Sequence, residues 1–530
     1  MGDTVNLREP FVGRTAMSLG FDWFFVLFCA GRCPRRLQQP ACHRTLLAKV
    51  IGSRNHVCRS LLYSQLPPLQ PPSGSEPQAS PCHEWDYDLP PGVQTMASRW
   101  NLVCERAWQV TLVQVHHIVG GLVMLPFAGQ LSDKVGRRSI INCCALLAMC
   151  AGVAVVYADS LVFFAVFRMF VGASTSALRV NTLVLLFEAS APPYRDRYCS
   201  LVQLGLLLGS TLVTALEAGG VLDIAVIAIV GIMPTSLLAF SFYWTEESPM
   251  WLLATWNLDT AKTVLLRVSQ INGVTASVDA PAVEREYRLK RVEEQRALHR
   301  TSVLDMLTSQ ILRERVGRMM CVWFCLFFSM HFLWQQTPRH TDVWLVLAAV
   351  VPRVTALPAA HGLLERFSRK AALGVCVALS CCLMFALALV TLLASPRNKL
   401  LVTLSYELAL ASLGIAYSAV ITHSLELFPT MLRTMAVCSV LSCGRLGAAL
   451  STVMAVSAPR FHRGLPPFLV VLSLVIAQAA LANLPETKYS KLPHTEYDLE
   501  ANAIKDAVID IMQCSESVMR RSDVTITEAK

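Results

Sequence analysis

Long apolar runs separated by short polar stretches recur along most of the 530-residue chain. A helix that crosses about 30 Å of hydrocarbon needs about 20 mostly apolar residues, and the runs have that length. The pattern predicts twelve transmembrane helices, numbered here as spans 1 to 12. The spans lie at residues 11–30, 108–128, 139–158, 161–187, 199–219, 224–244, 319–337, 342–363, 371–394, 399–425, 434–456 and 466–485.

The composition supports a membrane protein. Hydrophobic residues make up 54% of the chain and charged residues only 16%, with a mean hydropathy of +0.47. Soluble globular proteins carry about 25% charged residues, so this class is excluded. We expect an all-α membrane protein of about twelve helices.

The basic residues are concentrated in loops on one side of the predicted membrane. The net charge is +9, and by the positive-inside rule the basic loops face the cytoplasm. Both termini are then cytoplasmic. The basic turns near residues 397–399 and 460–463 do not follow this rule, because the same topology places them outside. No nucleic-acid partner is needed to explain the charge. The loops that set the orientation contain Lys134, Arg137, Arg138, Arg195, Arg197, Arg366, Arg369 and Lys370.

The same topology divides the chain into six regions. Residues 1–30 contain the N-terminus and a weak first helix, for which a cleaved signal peptide is the alternative. The other regions are an extracellular loop at 31–107, spans 2 to 6 within 108–251, a cytoplasmic loop at 252–318, the second helical half at 319–487 and a cytoplasmic tail at 488–530. Cys82 and Cys104 in the outer loop are candidates for a disulfide, but five cysteines leave the pairing open.

Comparison of the chain with itself reveals a repeat. Five residues after span 2 have counterparts after span 8 at an offset of 232. In chain order, Gly129, Asp133, Gly136, Arg137 and Arg138 correspond to His361, Glu365, Ser368, Arg369 and Lys370. Glu188 and Arg195 recur as Glu426 and Arg433, and Glu247-Ser-Pro249 is matched loosely by Pro485-Glu-Thr487. Such a repeat predicts two six-helix halves.

The repeated residues are candidates for a gate between the halves. Gly permits close helix approach, and an acid followed by bases can bridge to the neighbouring half. The alternative is that these residues only anchor helices and set topology. The proposed gating set is Gly129, Asp133, Gly136, Arg137, Arg138, Glu188, Arg195, Glu365, Arg369, Glu426 and Arg433.

Several motifs together resemble the organic cation, organic anion and carnitine transporter family of the major facilitator superfamily. They are Cys82-His-Glu-Trp85-Asp-Tyr87-Asp88, Trp100-Asn-Leu-Val-Cys104, Glu247-Ser-Pro, Glu426-Leu-Phe-Pro429-Thr-Met-Leu-Arg433 and Leu484-Pro-Glu-Thr. The resemblance implies the twelve-helix major facilitator fold, a central cavity, and transport of organic ions by alternating access at the plasma membrane.

Charged residues inside spans are candidates for substrate binding, because an uncompensated charge at mid-membrane costs at least about 2.5 kcal/mol. Arg179, Arg353 and Arg445 meet this condition, and Glu407 is a candidate of opposite sign. The resemblance implies that the position of Arg445 tends to be Arg in anion transporters and Asp in cation transporters. An Arg445–Glu407 ion pair without a ligand role is the alternative.

Aromatic residues in spans 7 and 10 add candidate walls for the cavity, chiefly Trp323, Phe327 and Tyr417. Ring faces can stack on aromatic anions or hold organic cations, so they do not decide the charge of the solute. His116, His117 and His331 leave proton coupling open.

We therefore expect a transporter of small organic ions, with organic anions preferred. The alternatives are an organic cation or zwitterion carrier of the same fold, and a non-transporting receptor, since His361 and Ser368 replace glycines of the repeat. The sequence contains no Gly-rich phosphate loop and no His-Glu-x-x-His motif, so we expect no enzyme activity, cofactor or metal. The expected partners are the substrate, an exchanged anion or coupling ion, and the bilayer.

Overall fold

The computed structural model describes residues 94–102, 106–190, 245–255, 257–271, 309–337, 343–393, 399–461 and 465–488, with isolated positions between 194 and 231. Span 1, most of spans 5 and 6, and the candidate disulfide of Cys82 and Cys104 lie outside these residues.

The described residues are helical and contain no strand, which confirms the all-α class. We number the helices in chain order. They are α1 (Met96–Arg99), α2 (Trp108–Val135), α3 (Arg137–Val156), α4 (Leu161–Ala189), α5 (Pro249–Ala254), α6 (Leu258–Ile271), α7 (Gln310–Gln336), α8 (Val343–Arg366), α9 (Arg369–Leu393), α10 (Lys399–Leu427), α11 (Arg433–Phe461) and α12 (Leu465–Ala482).

The long helices coincide with predicted spans 2 to 4 and 7 to 12, whereas α5 and α6 are short helices that follow span 6. Within the described part of the chain, eight helices are long and apolar enough to cross a membrane. Helix α8 is the ninth long helix, and it contains Pro352 and Pro358. Helix α7 begins at Gln310 rather than at 319, because Glu314 and Arg318 extend it with a polar turn and pair at 3.1 Å.

Two local signals set the boundaries near the charged loops. Ser248 accepts a hydrogen bond from the Trp251 amide at 3.2 Å, and Pro249 occupies the first turn of α5. Gly136 separates α2 from α3 with φ +108°, and a Cβ there would lie 2.5 Å from Glu247 Oε2. Only glycine suits both the backbone conformation and the space at this turn.

Close contacts between helices hold each half together and join the halves. In the first half, a Cβ on Gly172 of α4 would lie 2.0 Å from the His117 carbonyl oxygen of α2. Between the halves, a Cβ on Gly129 of α2 would lie 2.7 Å from Cys438 Cβ of α11. Small residues at helix contacts are typical of membrane bundles, where packing rather than water exclusion drives association.

Candidate functional site

A buried charged cluster lies where α2, α3 and α4 end or begin. The Arg137 side chain is fully buried, and its Nη2 lies 2.9 Å from Asp133 Oδ1. Its Nε lies 3.3 Å from Glu188 Oε2. The guanidinium also lies 5.6 Å from the centre of the Trp251 ring. Three charges and an aromatic face therefore share one desolvated position, which strengthens each interaction.

The same cluster crosses to the second half. Arg433 Nη1 at the start of α11 lies 3.1 Å from Glu188 Oε1. Asp133 Oδ2 accepts a hydrogen bond of 2.8 Å from the Met435 amide, in the first turn of α11, where the helix dipole favours a negative charge. These contacts join the halves at the end of the bundle that carries the basic loops, which we call the charged end.

Glu247 and Ser248 complete this cluster, a role that the sequence analysis did not assign. Glu247 Oε1 accepts from the Arg137 amide at 3.0 Å, and Oε2 accepts from the Arg138 amide at 3.1 Å. Ser248 Oγ donates to Glu188 Oε2 at 2.6 Å. Glu247 thus satisfies the first amides of α3, which have no partner inside the helix.

The second half repeats the arrangement. Arg369 Nη2 lies 3.2 Å from Glu426 Oε1. Glu486 accepts from the Arg369 amide at 3.0 Å, and Thr487 Oγ donates to Glu426 Oε2 at 2.6 Å. From the sequence alone, Glu247-Ser-Pro249 matches Pro485-Glu-Thr487 only loosely, but the residue types do correspond. The pairs Glu247 with Glu486 and Ser248 with Thr487 stand at the same offset of 239, close to that of the other repeats.

Hydrogen bonds lower the pKa of Glu486, which lies outside the spans. Burial acts to raise the pKa of Glu486. The hydrogen bonds that it accepts from Ser368 and from the amides of Lys488, Lys370 and Arg369 outweigh burial and lower the pKa below its ordinary value.

The two copies differ where glycine and aspartate are replaced. Ser368, at the position of Gly136, accepts from the Ala371 amide at 3.2 Å and so caps α9. Glu365, at the position of Asp133, has a side chain 62% exposed and pairs with His361 at 3.2 Å. The second copy therefore holds its own helices together, but Glu365 does not take the buried position of Asp133.

Arg195 and Arg138 complete the proposed gating set. Arg195 lies 4.7 Å from the Phe187 ring centre, and the Arg433 guanidinium lies 5.5 Å from the same ring. Burial, followed by repulsion from Arg433, lowers the pKa of Arg195 to about 10, while Glu426 acts in the opposite direction. Arg138 is half-buried, and Glu247 holds its amide.

A second cluster lies in the middle of the bundle. Arg445 of α11 is 4% exposed, and its guanidinium lies 5.9 Å from the Phe327 ring centre. Arg179 of α4 is 2% exposed and lies 6.0 Å from the Tyr417 ring centre. The Phe327 and Tyr417 rings are 5.9 Å apart, and Trp323 meets Tyr417 edge-on at 5.6 Å. One arginine from each half thus approaches a single aromatic cluster.

Two histidines adjoin this cluster. The His331 ring lies 5.9 Å from Phe327, and both Arg445 and Arg179 act on it electrostatically. His117 Nδ1 lies 3.2 Å from the Arg168 carbonyl oxygen, and Arg445 and His331 act on its ring electrostatically. Among the described residues, the charged side chains of this cluster are therefore arginines, with imidazoles from α2 and α7 close by.

Glu407 and Arg353 form a separate ion pair. Arg353 Nε lies 2.7 Å from Glu407 Oε2, and Arg353 Nη2 lies 2.5 Å from Oε1. The Arg353 guanidinium also stacks 4.4 Å from the Trp334 ring centre. The carboxylate proposed as an alternative partner of Arg445 is thus bound in a bidentate pair by Arg353. In the described part of the chain, no group of His, Cys, Asp and Glu side chains is placed to hold a metal ion.

Comparison with known proteins gives consistent matches over most of the chain. A family model described as "Sugar (and other) transporter" matches residues 77–499. Solute carrier family 22 member 12 of Homo sapiens is 30% identical, over 86% of this chain and 83% of that protein. The steroid transmembrane transporter SLC22A24 of Oryctolagus cuniculus is 26% identical, over 88% of this chain and 84% of that protein.

Solved structures match the same architecture. The proton:xylose symporter XylE, a major facilitator superfamily protein, aligns with a TM-score of 0.60 at 17% identity, over 75% of this chain and 90% of that chain. The partially occluded, inward-open form of XylE from E. coli aligns with a TM-score of 0.56 at 17% identity, over 72% and 89% of the two chains. These alignments confirm the major facilitator fold.

Proposed function

The chain belongs to the sugar (and other) transporter family and within it to solute carrier family 22, and on that premise we propose that it carries small organic anions between its two halves. It is a multi-pass membrane transporter, and the matched proteins are transporters rather than enzymes.

The position of Arg445 is the observation that carries the anion proposal. Arg445 lies about 18 Å along α11 from its first residue, Arg433, and is 4% exposed. Arg179 brings a second buried guanidinium from the opposite half, while Glu407 is bound by Arg353. A guanidinium in a partly dehydrated site binds carboxylate or sulfonate groups through a planar fork of donors.

The aromatic cluster supports a flat, largely apolar solute body. Trp323, Phe327 and Tyr417 pack with ring centres 5.4 to 5.9 Å apart. Ring faces stack on aromatic or polycyclic solutes with little demand on substituents. The name of one relative, a steroid transmembrane transporter, is consistent with a solute of this shape.

The charged end supplies the gate. The Arg433–Glu188 pair and the Asp133 bond to the Met435 amide join the halves, so this end must open for the solute to leave there. Rocking of one half against the other would break these contacts. By the positive-inside rule this end faces the cytoplasm, and the plasma membrane is the proposed location.

An organic cation carrier is the alternative within the family, and a negative charge in the second cluster would favour it. The described charged side chains beside the Phe327 and Tyr417 rings are those of Arg445 and Arg179, which supports the anion proposal. An uptake experiment separates the two in cells that express the full chain at the surface.

Labelled aromatic carboxylate and labelled quaternary ammonium are compared in the wild type, in Arg445→Ala and in Arg318→Ala. Arg318 is 41% exposed at its side chain and serves as the matched control. We expect carboxylate uptake that falls by about tenfold or more in Arg445→Ala, as loss of a charge-assisted hydrogen bond implies, and is retained in Arg318→Ala. Ammonium uptake by the wild type would contradict the proposal, and movement of neither solute would indicate a non-transporting protein.

A further inference from the structure

We propose that Arg353 and Glu407 couple anion transport to protons. An incoming anion, attracted by the positive charge of Arg445 and Arg179, is held by the Arg353 guanidinium in place of Glu407 during transport, and the released Glu407 carboxylate takes one proton from the same side of the membrane. When the anion leaves on the other side, Glu407 returns its proton to that solution and pairs with Arg353 again. This inference rests on the organic-anion transport proposed above and adds a driving ion to it.

The geometry of the pair suits an exchangeable partner. Both Glu407 oxygens bind the guanidinium, at 2.7 and 2.5 Å, which is the contact that a substrate carboxylate or sulfonate would make. The Glu407 side chain is fully buried, whereas 10% of the Arg353 side chain is exposed. The cation is thus the accessible member, and the carboxylate depends on it for its countercharge.

The pair lies where the two halves meet. Trp334 covers Arg353 at 4.4 Å. The Trp334 side chain also packs against the large core that residues of both halves share and against a first-half core that includes Phe164 and Val171. Arg353 and Glu407 stand about 15 and 12 Å along α8 and α10 from the first residues of those helices. They are therefore within the apolar layer and away from the charged end.

Charge balance then requires a proton. Two carboxylates compete for one guanidinium, and a buried carboxylate without a partner is strongly unfavourable. Uptake of a proton converts Glu407 to a neutral carboxylic acid, so a monovalent anion and a proton enter together and the net charge of the site does not change. A carboxylate that must ionise and neutralise in each cycle is the usual means by which membrane carriers move protons.

The neighbours of Glu407 assign the proton to it. Arg353 is the charged side chain that acts on Glu407 among the described residues. Helix α9 packs at this level, because Ser380 Oγ donates to the Ala409 carbonyl oxygen at 3.2 Å. The titratable side chains within three residues of Trp334, Ser380 or Glu407 along α7, α9 and α10 are His331, Cys381, Cys382 and Tyr406. The His331 ring is acted on electrostatically by Arg445 and Arg179 of the second cluster. We therefore assign His331 to that cluster and not to the Arg353–Glu407 pair.

The test uses the full chain in proteoliposomes that contain a pH indicator, with a labelled aromatic sulfonate outside. A sulfonate stays ionised and cannot carry a proton through lipid by itself. With the outside more acidic by one pH unit, we expect accumulation of up to about tenfold and one proton taken up per sulfonate. Sulfonate uptake without protons would overturn the coupling and leave the transport function intact. Absence of sulfonate uptake at every pH would overturn both.

Two variants locate the coupling. Glu407→Gln keeps the shape of the protonated side chain but cannot ionise, so we expect the number of protons moved per sulfonate to fall to zero and the response to the gradient to be lost, whatever rate of sulfonate uptake remains. Glu314→Gln, at an exposed acid with a side chain 47% accessible, should keep the wild-type proton ratio. Proton movement that persists in Glu407→Gln would overturn the assignment. If that variant does not fold, the proton ratio of the wild type still decides whether coupling exists.

Discussion

Arg433 of the second half places its Nη1 3.1 Å from Glu188 Oε1 of the first half, and both side chains are fully buried. Glu188 also binds Arg137 and Ser248, so one carboxylate joins α3, α4, α5 and α11. A buried carboxylate with several partners fixes the relative position of the helices that supply them. The relationship shows how the two halves are joined at this end of the protein.

A double-mutant cycle on this pair should reveal strong coupling. We expect Glu188→Gln and Arg433→Gln each to lower the thermal unfolding midpoint of the purified chain. The double variant should lose less stability than the sum of the losses in the two single variants, with a coupling energy of about 0.5 to 3 kcal/mol. The exposed pair Glu314 and Arg318, at side-chain exposures of 47% and 41%, is the matched control and should couple by less than about 1 kcal/mol. Additive losses at Glu188 and Arg433 would contradict the assigned contact.

The turn between α2 and α3 should not tolerate a side chain. Gly136→Ala places a Cβ in a left-handed conformation and within 2.5 Å of Glu247, so we expect a loss of about 1 to 2 kcal/mol or more. Ser368→Gly at the equivalent turn removes only a cap and should cost a few tenths of a kcal/mol. Thermal unfolding of both variants in detergent provides the measurement, and equal losses would argue against the difference between the two turns.

Acid should weaken the second-half turn through Glu486. Since its pKa is below the ordinary value of 4.5 when folded, its stabilising contribution is complete above pH 4.5. The contribution falls as the pH drops through that value towards the lower folded pKa. We expect the gap in unfolding midpoint between wild type and Glu486→Gln to be largest near neutral pH and to close on acidification. A gap that widens in acid would show the opposite sign.

The contact between α2 and α4 should be sensitive to one methyl group. A Cβ on Gly172 would lie 2.0 Å from the His117 carbonyl oxygen, whereas a Cβ on Gly414 of α10 would have nothing within 4 Å. Gly172→Ala should therefore lower the unfolding midpoint, and Gly414→Ala should leave it unchanged or raise it, because Ala favours the helix. Equal behaviour of the two variants would contradict the packing.

The sequence predicted the long helices well, because nearly every one is an apolar run bounded by charged or turn residues. Helix α7 was placed late, since its first turns are polar and only the Glu314–Arg318 pair shows that they are helical. The repeat predicted most of the charges that share a cluster, but Glu365 is exposed and pairs with His361 instead. The repeat did not predict that Glu247 and Ser248 bind the other members, because hydrogen bonds between residues 110 and 60 positions apart in the chain leave no local pattern.

The second cluster could be predicted only in part from the sequence. Arg445, Arg179 and the rings of Phe327 and Tyr417 were all candidates, and the fold brings them together. The partner of Glu407 was expected to be Arg445 if the pair was structural. Its partner is Arg353, a choice set by the packing of α8 on α10, which periodicity within single helices does not encode.

The most direct test of the central claim is charge reversal at Arg445. Uptake of a labelled aromatic carboxylate and of a labelled quaternary ammonium is measured in wild type and in Arg445→Asp, after equal surface expression is established. The account predicts saturable carboxylate uptake in the wild type that is lost in Arg445→Asp. Carboxylate uptake that survives the reversal, or ammonium uptake by the wild type, would contradict the assignment of an anion site at Arg445.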